Sequence, residues 1–219
     1  MRVSIIDYKT SNLHSVKAAC EEVGITSRIT SKPDELLSSD AAILPGVGSF
    51  SRAMENLRKL GLEEAILNFV SSGKSLFGVC LGQQLLFEQS EEFGTHKGLS
   101  LIRGKVKKFD FSNENNQKYP VPQIGWNKIM HHNQNWKDTF LDNCQEGSYM
   151  YFVHSYYVEP EDEAVILSTS VYGNQQYCSS IKKENIFATQ FHPEKSGHKG
   201  LEIYRSFKNY LNINGSMNV

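Results

Sequence analysis

Ser75–Gln84 reads S-L-F-G-V-C-L-G-Q-Q, an apolar run ending on a cysteine set between two glycines. S-L-F-G-V-C has strand character. In the L-G-Q-Q-L-L-F-E-Q-S that follows, Leu81, Leu85 and Leu86 suit the apolar face of a helix. A buried structural thiol needs no glycine neighbours, whereas a side chain presented on a sharp strand-to-helix turn does. The stretch therefore predicts a βα unit with Cys80 at its corner. Taken alone, the five-residue pattern G-x-C-x-G fits a core cysteine equally well.

The same alternation extends outward. Val3–Ile6 is β-rich, and Leu13, Val16, Cys20 and Val23 then recur at helical spacing up to Gly24. A-A-I-L leads into P-G-V-G-S-F (Pro45–Phe50), and the segment from Ser51 to Ser72 reads as helix interrupted around Gly61 and closed by Gly73. Strand and helix alternating at this spacing argue for βαβ units and a parallel sheet, whose functional groups gather beyond the carboxyl ends of the strands. After Gly98 the texture turns strand-like, in L-S-L-I-R-G-K-V-K-K-F, Y-M-Y-F-V-H-S-Y-Y-V, A-V-I-L-S-T-S-V and I-F-A-T-Q-F. The polar run Ser112–Lys118 reads as an exposed loop, and Leu201, Tyr204, Phe207 and Leu211 as a closing helix. The expectation is α/β: one domain over 1–219, with an open, mostly parallel sheet flanked by helices and additional antiparallel strands in the second half.

Composition narrows the chemistry. The 219 residues carry 23 Lys plus Arg against 24 Asp plus Glu, and no basic block stands out. Nucleic acid and anionic membranes therefore have no electrostatic support as partners. No apolar run approaches the roughly 20 residues that span a bilayer, and the N-terminus lacks a cleavable leader pattern. Cys20, Cys80, Cys144 and Cys178 are too scattered for a zinc site or disulfide framework. A cytoplasmic protein with reduced thiols and no metal or other cofactor is expected, with Cys20 a small core residue and Cys144 and Cys178 without chemistry.

A thiolate nucleophile gains from an imidazole that is itself oriented by an acceptor. His192 stands in Q-F-H-P-E-K-S directly after I-F-A-T-Q-F, and Glu194 lies two residues on. The set Cys80, His192, Glu194 supplies nucleophile, base and orienter. Acyl transfer also needs oxyanion donors. The Leu81 N–H follows the nucleophile directly, and Val47 and Gly48 in the P-G-V-G loop are further candidates, although that loop alone is equally a plain βα turn.

G-V-C-L-G-Q-Q, H-P-E-K-S and P-G-V-G-S-F together resemble the class I glutamine amidotransferases, and more narrowly the glutaminase subunits of imidazole glycerol phosphate synthases. V-P-Q-I-G-W-N and Y-F-V-H-S-Y extend the resemblance, which runs from about Val3 to Leu211. It implies glutamine as substrate and a γ-glutamyl thioester on Cys80. Gln84 and Glu92 would hold the glutamine, with the Ser155–Tyr156 backbone at its carboxylate. Tyr151 and Lys195 would face a (β/α)₈-barrel cyclase, with which the chain forms a heterodimer and which consumes the ammonia. Members usually read D-Y-G-x-G-N-L and V-P-H-x-G-W, where this chain has Lys9, Ser11 and Gln123. These departures leave the triad intact and bear on the partner surface. Three further readings stand beside the first: a related subunit feeding ammonia to a barrel synthase for cell-surface sugar amination, a non-catalytic interaction subunit, and a stand-alone γ-glutamyl hydrolase or cysteine peptidase. Trp126 reads as a core or interface anchor, and His131 and His132 as surface residues.

Overall fold

The computed structural model describes residues 2–9, 12–111 and 119–216. Ser11 and the run Ser112–Lys118 lie outside the described residues. The first half runs β1 (Val3–Ile6), α1 (Leu13–Glu22), β2 (Ser27–Thr30), α2 (Pro33–Leu37), β3 (Ala41–Leu44), α3 (Phe50–Lys59), α4 (Leu62–Ser71), β4 (Ser75–Val79) and α5 (Leu81–Leu85). It continues through β5 (Phe87–Ser90), β6 (His96–Lys97), β7 (Ile102–Lys108), β8 (Gln123–Lys128), β9 (Met130–His131), β10 (Tyr149–His154) and β11 (Tyr156–Pro160). The last elements are β12 (Ile166–Tyr172), β13 (Gln175–Lys183), β14 (Ile186–Thr189) and α6 (Gly197–Ser216).

The main sheet is ordered β2-β1-β3-β4-β14-β13-β11-β7-β5-β6. β2, β1, β3, β4 and β14 are mutually parallel, and β13 then begins a mostly antiparallel half in which β5 and β7 still pair parallel. β8 and β10 form a separate two-stranded ribbon. β1, β3 and β4 are buried on both faces, which is why V-S-I-I, A-A-I-L and S-L-F-G-V are nearly continuous apolar runs. Val3, Ile5, Ile43 and Phe77 pack on one side with α1 and α6; Ile6, Leu44 and Leu76 pack on the other with α2, α3 and α4. Gly24 and Gly61 take positive φ where the sequence places helix ends.

Two stretches depart from the sequence reading. The helix after Cys80 stops at Leu85, and Phe87–Ser90 is β5. The Leu86 carbonyl, which a continuing helix would use, accepts instead from the N–H groups of Leu101 (2.9 Å) and Ile102 (3.0 Å). The chain entering β7 thus takes over the backbone of the L-L-F run. The nine-residue strand β13 was not legible as a strand, because part of its buried face is made of serines. Ser179 and Ser180 are fully buried, and their hydroxyls pair with Ser168 of β12 at 2.8 and 2.5 Å. Most buried hydroxyls are bonded, and these three bond one another.

Phe77 of β4 is the hub of the first core layer, with ring centroids 5.5 Å from Phe140, 5.8 Å from Tyr204 and 5.5 Å from Phe207. Phe77→Ala is expected to lower the unfolding free energy by about 3–5 kcal/mol, as large-to-small changes of buried aromatics do. Urea unfolding of the two proteins, with unchanged slope and a lower midpoint, checks this.

Candidate active site

Cys80 sits at the junction of β4 and α5 with φ 55° and ψ −110°, a left-handed backbone that a non-glycine residue rarely takes. Its N–H is held by the Thr189 carbonyl at 2.7 Å. The two flanking glycines have separate steric reasons. A Cβ on Gly82 would stand 1.7 Å from the Leu44 carbonyl oxygen, because α5 begins pressed against the end of β3. A Cβ on Gly78 would lie 3.0 Å from the Ala188 Cβ and 3.1 Å from the Gly82 backbone. Both glycines allow the close packing that turns the chain so sharply at Cys80.

His192 follows β14, parallel neighbour of β4, and its ring is wholly buried. Nδ1 lies 2.7 Å from Glu194 Oε1, and Nε2 has no hydrogen bond closed upon it. Burial disfavours a charged ring here, but electrostatic attraction to the Cys80 sulfur, with the hydrogen bond and charge of Glu194, outweighs it and raises His192 well above the usual imidazole range. Burial pushes the thiols of Cys20 and Cys144 up to about 12, and that of Cys178 in the same direction.

The sequence reading missed a fourth member of this group. Asn12 stands at the N-cap of α1, where its type would ordinarily bond the helix's first N–H groups, but its side chain makes no capping bond. Its amide donates instead to Glu194 Oε1 at 2.6 Å, across 182 residues. Lys9, three residues earlier, takes φ 68°, a conformation natural to the glycine it replaces, with its N–H on Asp7 Oδ1 at 2.8 Å. Gln123, the other described departure, is buried and accepts from the Tyr177 hydroxyl at 3.0 Å, so its side chain lies in the core.

An open pocket of about 260 Å³ lies over Cys80. Val47, Gly48, Leu81, Gln84, Glu92, Ser155 and Tyr156 all line it, as does His154. Glu92 accepts from the Phe50 N–H at the start of α3. The Leu81 N–H donates to the Gly46 carbonyl at 3.4 Å, a long bond that an incoming oxyanion would have to displace. Gln84, buried rather than solvated, donates to the Tyr156 carbonyl at 2.9 Å and to Gln190 Oε1 at 3.0 Å. Tyr151 and Lys195 lie outside the pocket. Tyr151 accepts the His192 N–H on its carbonyl at 2.9 Å, and Lys195 is exposed. The ring of Tyr151 meets Trp126 edge-on at 6.0 Å on the β8–β10 ribbon, where Ile124, Trp126 and Tyr149 are exposed. Trp126 is therefore not a core anchor. His131 is exposed and His132 partly so.

His154 is the counterpart of His192. A carbonyl only accepts, so the 2.8 Å contact with the Tyr156 oxygen places the proton on Nδ1. Burial, against the help of that bond and with the nearby His192, lowers its pKa to about 4. The two buried histidines are thus shifted in opposite directions, His192 up and His154 down.

The class-I glutamine amidotransferase family model matches residues 4–209. Imidazole glycerol phosphate synthase subunit HisH from Bacillus subtilis (strain 168) is 44% identical over 205 residues, 94% of each chain. The subunit of the same name from Chlorobium chlorochromatii (strain CaD3) is also 44% identical over 205 residues, covering 94% of this chain and 98% of its own. Among solved structures, PurLQS from Thermotoga maritima superposes with a TM-score of 0.71 at 18% identity, over 96% of this chain and 98% of the other, a likeness of fold. Among the described residues no helix is long and apolar enough to cross a membrane.

The depressed pKa of His154 has a consequence for stability. The unfolded chain binds its proton near pH 6.5 and the folded one near 4, so this group's stabilising contribution is complete above 6.5 and is lost as pH falls towards 4. The loss is about 3 kcal/mol at most, by the usual conversion of a pKa difference. His154→Phe is expected to flatten the fall in unfolding free energy between pH 6.5 and 4, read by denaturant titration at several pH values.

Proposed function

The chain belongs to the class I glutamine amidotransferase family, and from that premise we propose that it is the glutaminase subunit of an imidazole glycerol phosphate synthase in histidine biosynthesis. The carrying observation is Cys80 on a strained elbow beside the buried His192–Glu194 pair, within a chain 41–44% identical to subunits of that name over 94–95% of its length.

The Cys80 thiolate attacks the side-chain amide carbon of glutamine. The oxyanion that forms is received by the Leu81 N–H and the Val47–Gly48 backbone once the Gly46 carbonyl releases Leu81. His192, charged at rest, gives its proton to the departing nitrogen; ammonia leaves and a γ-glutamyl thioester remains. The now neutral His192 takes a proton from water, whose oxygen attacks the thioester carbon, and glutamate departs as the thiolate re-forms. Glu194 holds the ring in the tautomer that directs Nε2 at the reaction, and Asn12 holds Glu194. In the pocket, Glu92 and Gln84 supply acceptors for the glutamine ammonium, and the Ser155–Tyr156 backbone lies where the α-carboxylate would rest.

Ammonia passes to a (β/α)₈-barrel cyclase, giving imidazole glycerol phosphate and an aminoimidazole carboxamide ribotide. The exposed Ile124, Trp126 and Tyr149, with Tyr151 and Lys195 beside them, form the docking face in this reading. The same reading makes the working unit a heterodimer in the cytoplasm. The names of the similar curated proteins favour this pathway over cell-surface sugar amination.

With the cyclase present, Cys80→Ala is expected to abolish glutamine-dependent product formation, by a factor of at least about 10³ as for loss of a covalent nucleophile, while ammonia-dependent formation persists. Glutamate release by Cys80→Ala at the parent rate would sink the nucleophile assignment. Product formation only with a sugar-aminating synthase would redirect the pathway.

A further inference from the structure

The thioester chemistry assigns Gln190 no part, yet its side chain touches the reacting atom. Gln190 is fully buried, and its Nε2 lies 3.7 Å from Cys80 Sγ. The sheet register explains the placement. Thr189 and Val79, the last residues of β14 and β4, pair with each other, so the residues that directly follow them, Gln190 and Cys80, stand side by side. Gln190 stands two residues before His192, in the bend that directly follows β14. The Gln190 N–H is anchored on the Ser179 carbonyl at 2.8 Å.

We propose that Gln190 is a catalytic residue, which holds the Cys80 sulfur as the thiolate by donating its amide N–H to it, with Gln84 and His154 fixing the direction of that amide. The proposal rests on the reading of Cys80 as nucleophile.

Amide oxygen and nitrogen are told apart here by their partners. The Tyr156 carbonyl can only accept, so the Gln84 atom 2.9 Å away is Nε2. That same Nε2 is 3.0 Å from the Gln190 amide, which must present its oxygen. The Gln190 nitrogen is then turned to the sulfur and cannot flip without placing two donors together. The Tyr156 carbonyl takes a second donor, His154 Nδ1–H, at 2.8 Å, so both of its lone pairs are engaged. Three buried side chains and one carbonyl thus run in series from the pocket wall to Sγ.

A donor at this place favours the charged sulfur over the neutral thiol, because hydrogen bonds to ionised groups are the stronger ones. The neutral thiol would need an acceptor, and the contact available is the Val153 carbonyl, 4.0 Å away. As the S–C bond forms, charge leaves the sulfur and the hold of the amide weakens. Gln190 therefore sets how much of Cys80 is thiolate and where the sulfur stands before attack.

The test is the rate of Cys80 alkylation by iodoacetamide against pH, on the full-length chain, followed by mass spectrometry of the Cys80 peptide. The buried Cys20, Cys144 and Cys178 serve as internal controls for folding. In Gln190→Leu, alkylation at neutral pH should fall about tenfold and recover at alkaline pH, so that the rate profile moves up by about one pH unit. Gln190→Glu, nearly isosteric, should slow it further by facing the sulfur with negative charge, and it decides the matter if the leucine variant does not fold. A parent-like rate profile in the folded variants overturns the proposal. Since iodoacetamide requires neither glutamine nor cyclase, a parent chain without glutaminase activity would count against the function and leave this result standing.

Discussion

The parallel register between β4 and β14, closed by the Cys80 N–H on the Thr189 carbonyl, carries everything else at the site. It places Cys80 beside Gln190, brings the His192 turn over the elbow, and sets Gly78 against Ala188. A one-residue slip would turn every side chain of β14 to the opposite face, exchanging core for site. That slip is opposed by hydrophobic burial on both faces, since Phe77 and Val79 belong to one core layer and Leu76 and Ala188 to the other. Packing energy far from the chemistry thus fixes the alignment of nucleophile and base.

Around that alignment, polar groups are satisfied in two separate chains. One runs from Asn12 through Glu194 to His192 and stabilises positive charge on the ring. The other runs from His154 through Tyr156, Gln84 and Gln190 to the sulfur. In a low-dielectric site such preorganised dipoles act strongly, because nothing must reorient when charge moves. The strained backbone at Cys80 is part of the same economy: the fold over-determines a conformation that the residue alone would leave.

Much of this was legible from residue types. The apolar runs of the parallel strands, the helix ends at Gly24 and Gly61 and the elbow at Cys80 follow from local rules that the structure obeys. His192 and Glu194 were legible because a histidine beside a rigid proline turn at a strand end is chemically distinctive. What escaped the sequence depends on long-range pairing. β13 hides because hydroxyls from two strands satisfy one another in the core, and β5 because an incoming chain claims the Leu86 carbonyl. Asn12 stands at the start of α1 and serves a carboxylate 182 residues away. Gln190 was visible only as the residue two before His192, and its contact with the sulfur depends on the pairing of β14 with β4.

The order of these elements along the chain governs when the site comes into being. Cys80 belongs to the first half of the polypeptide, whereas Gln190, His192 and Glu194 arrive only after β13 has laid down the neighbour of β14. During synthesis from the N-terminus, β1 to β4 can pair while the emerging thiol still lacks both its donor and its base. The closing step is a contact between segments more than a hundred residues apart, which chain entropy makes late. The nascent protein therefore carries Cys80 without its donor and base until Gln190 and His192 have been made. Reactivity is conferred by the final strand, when the fold that restrains it is already in place.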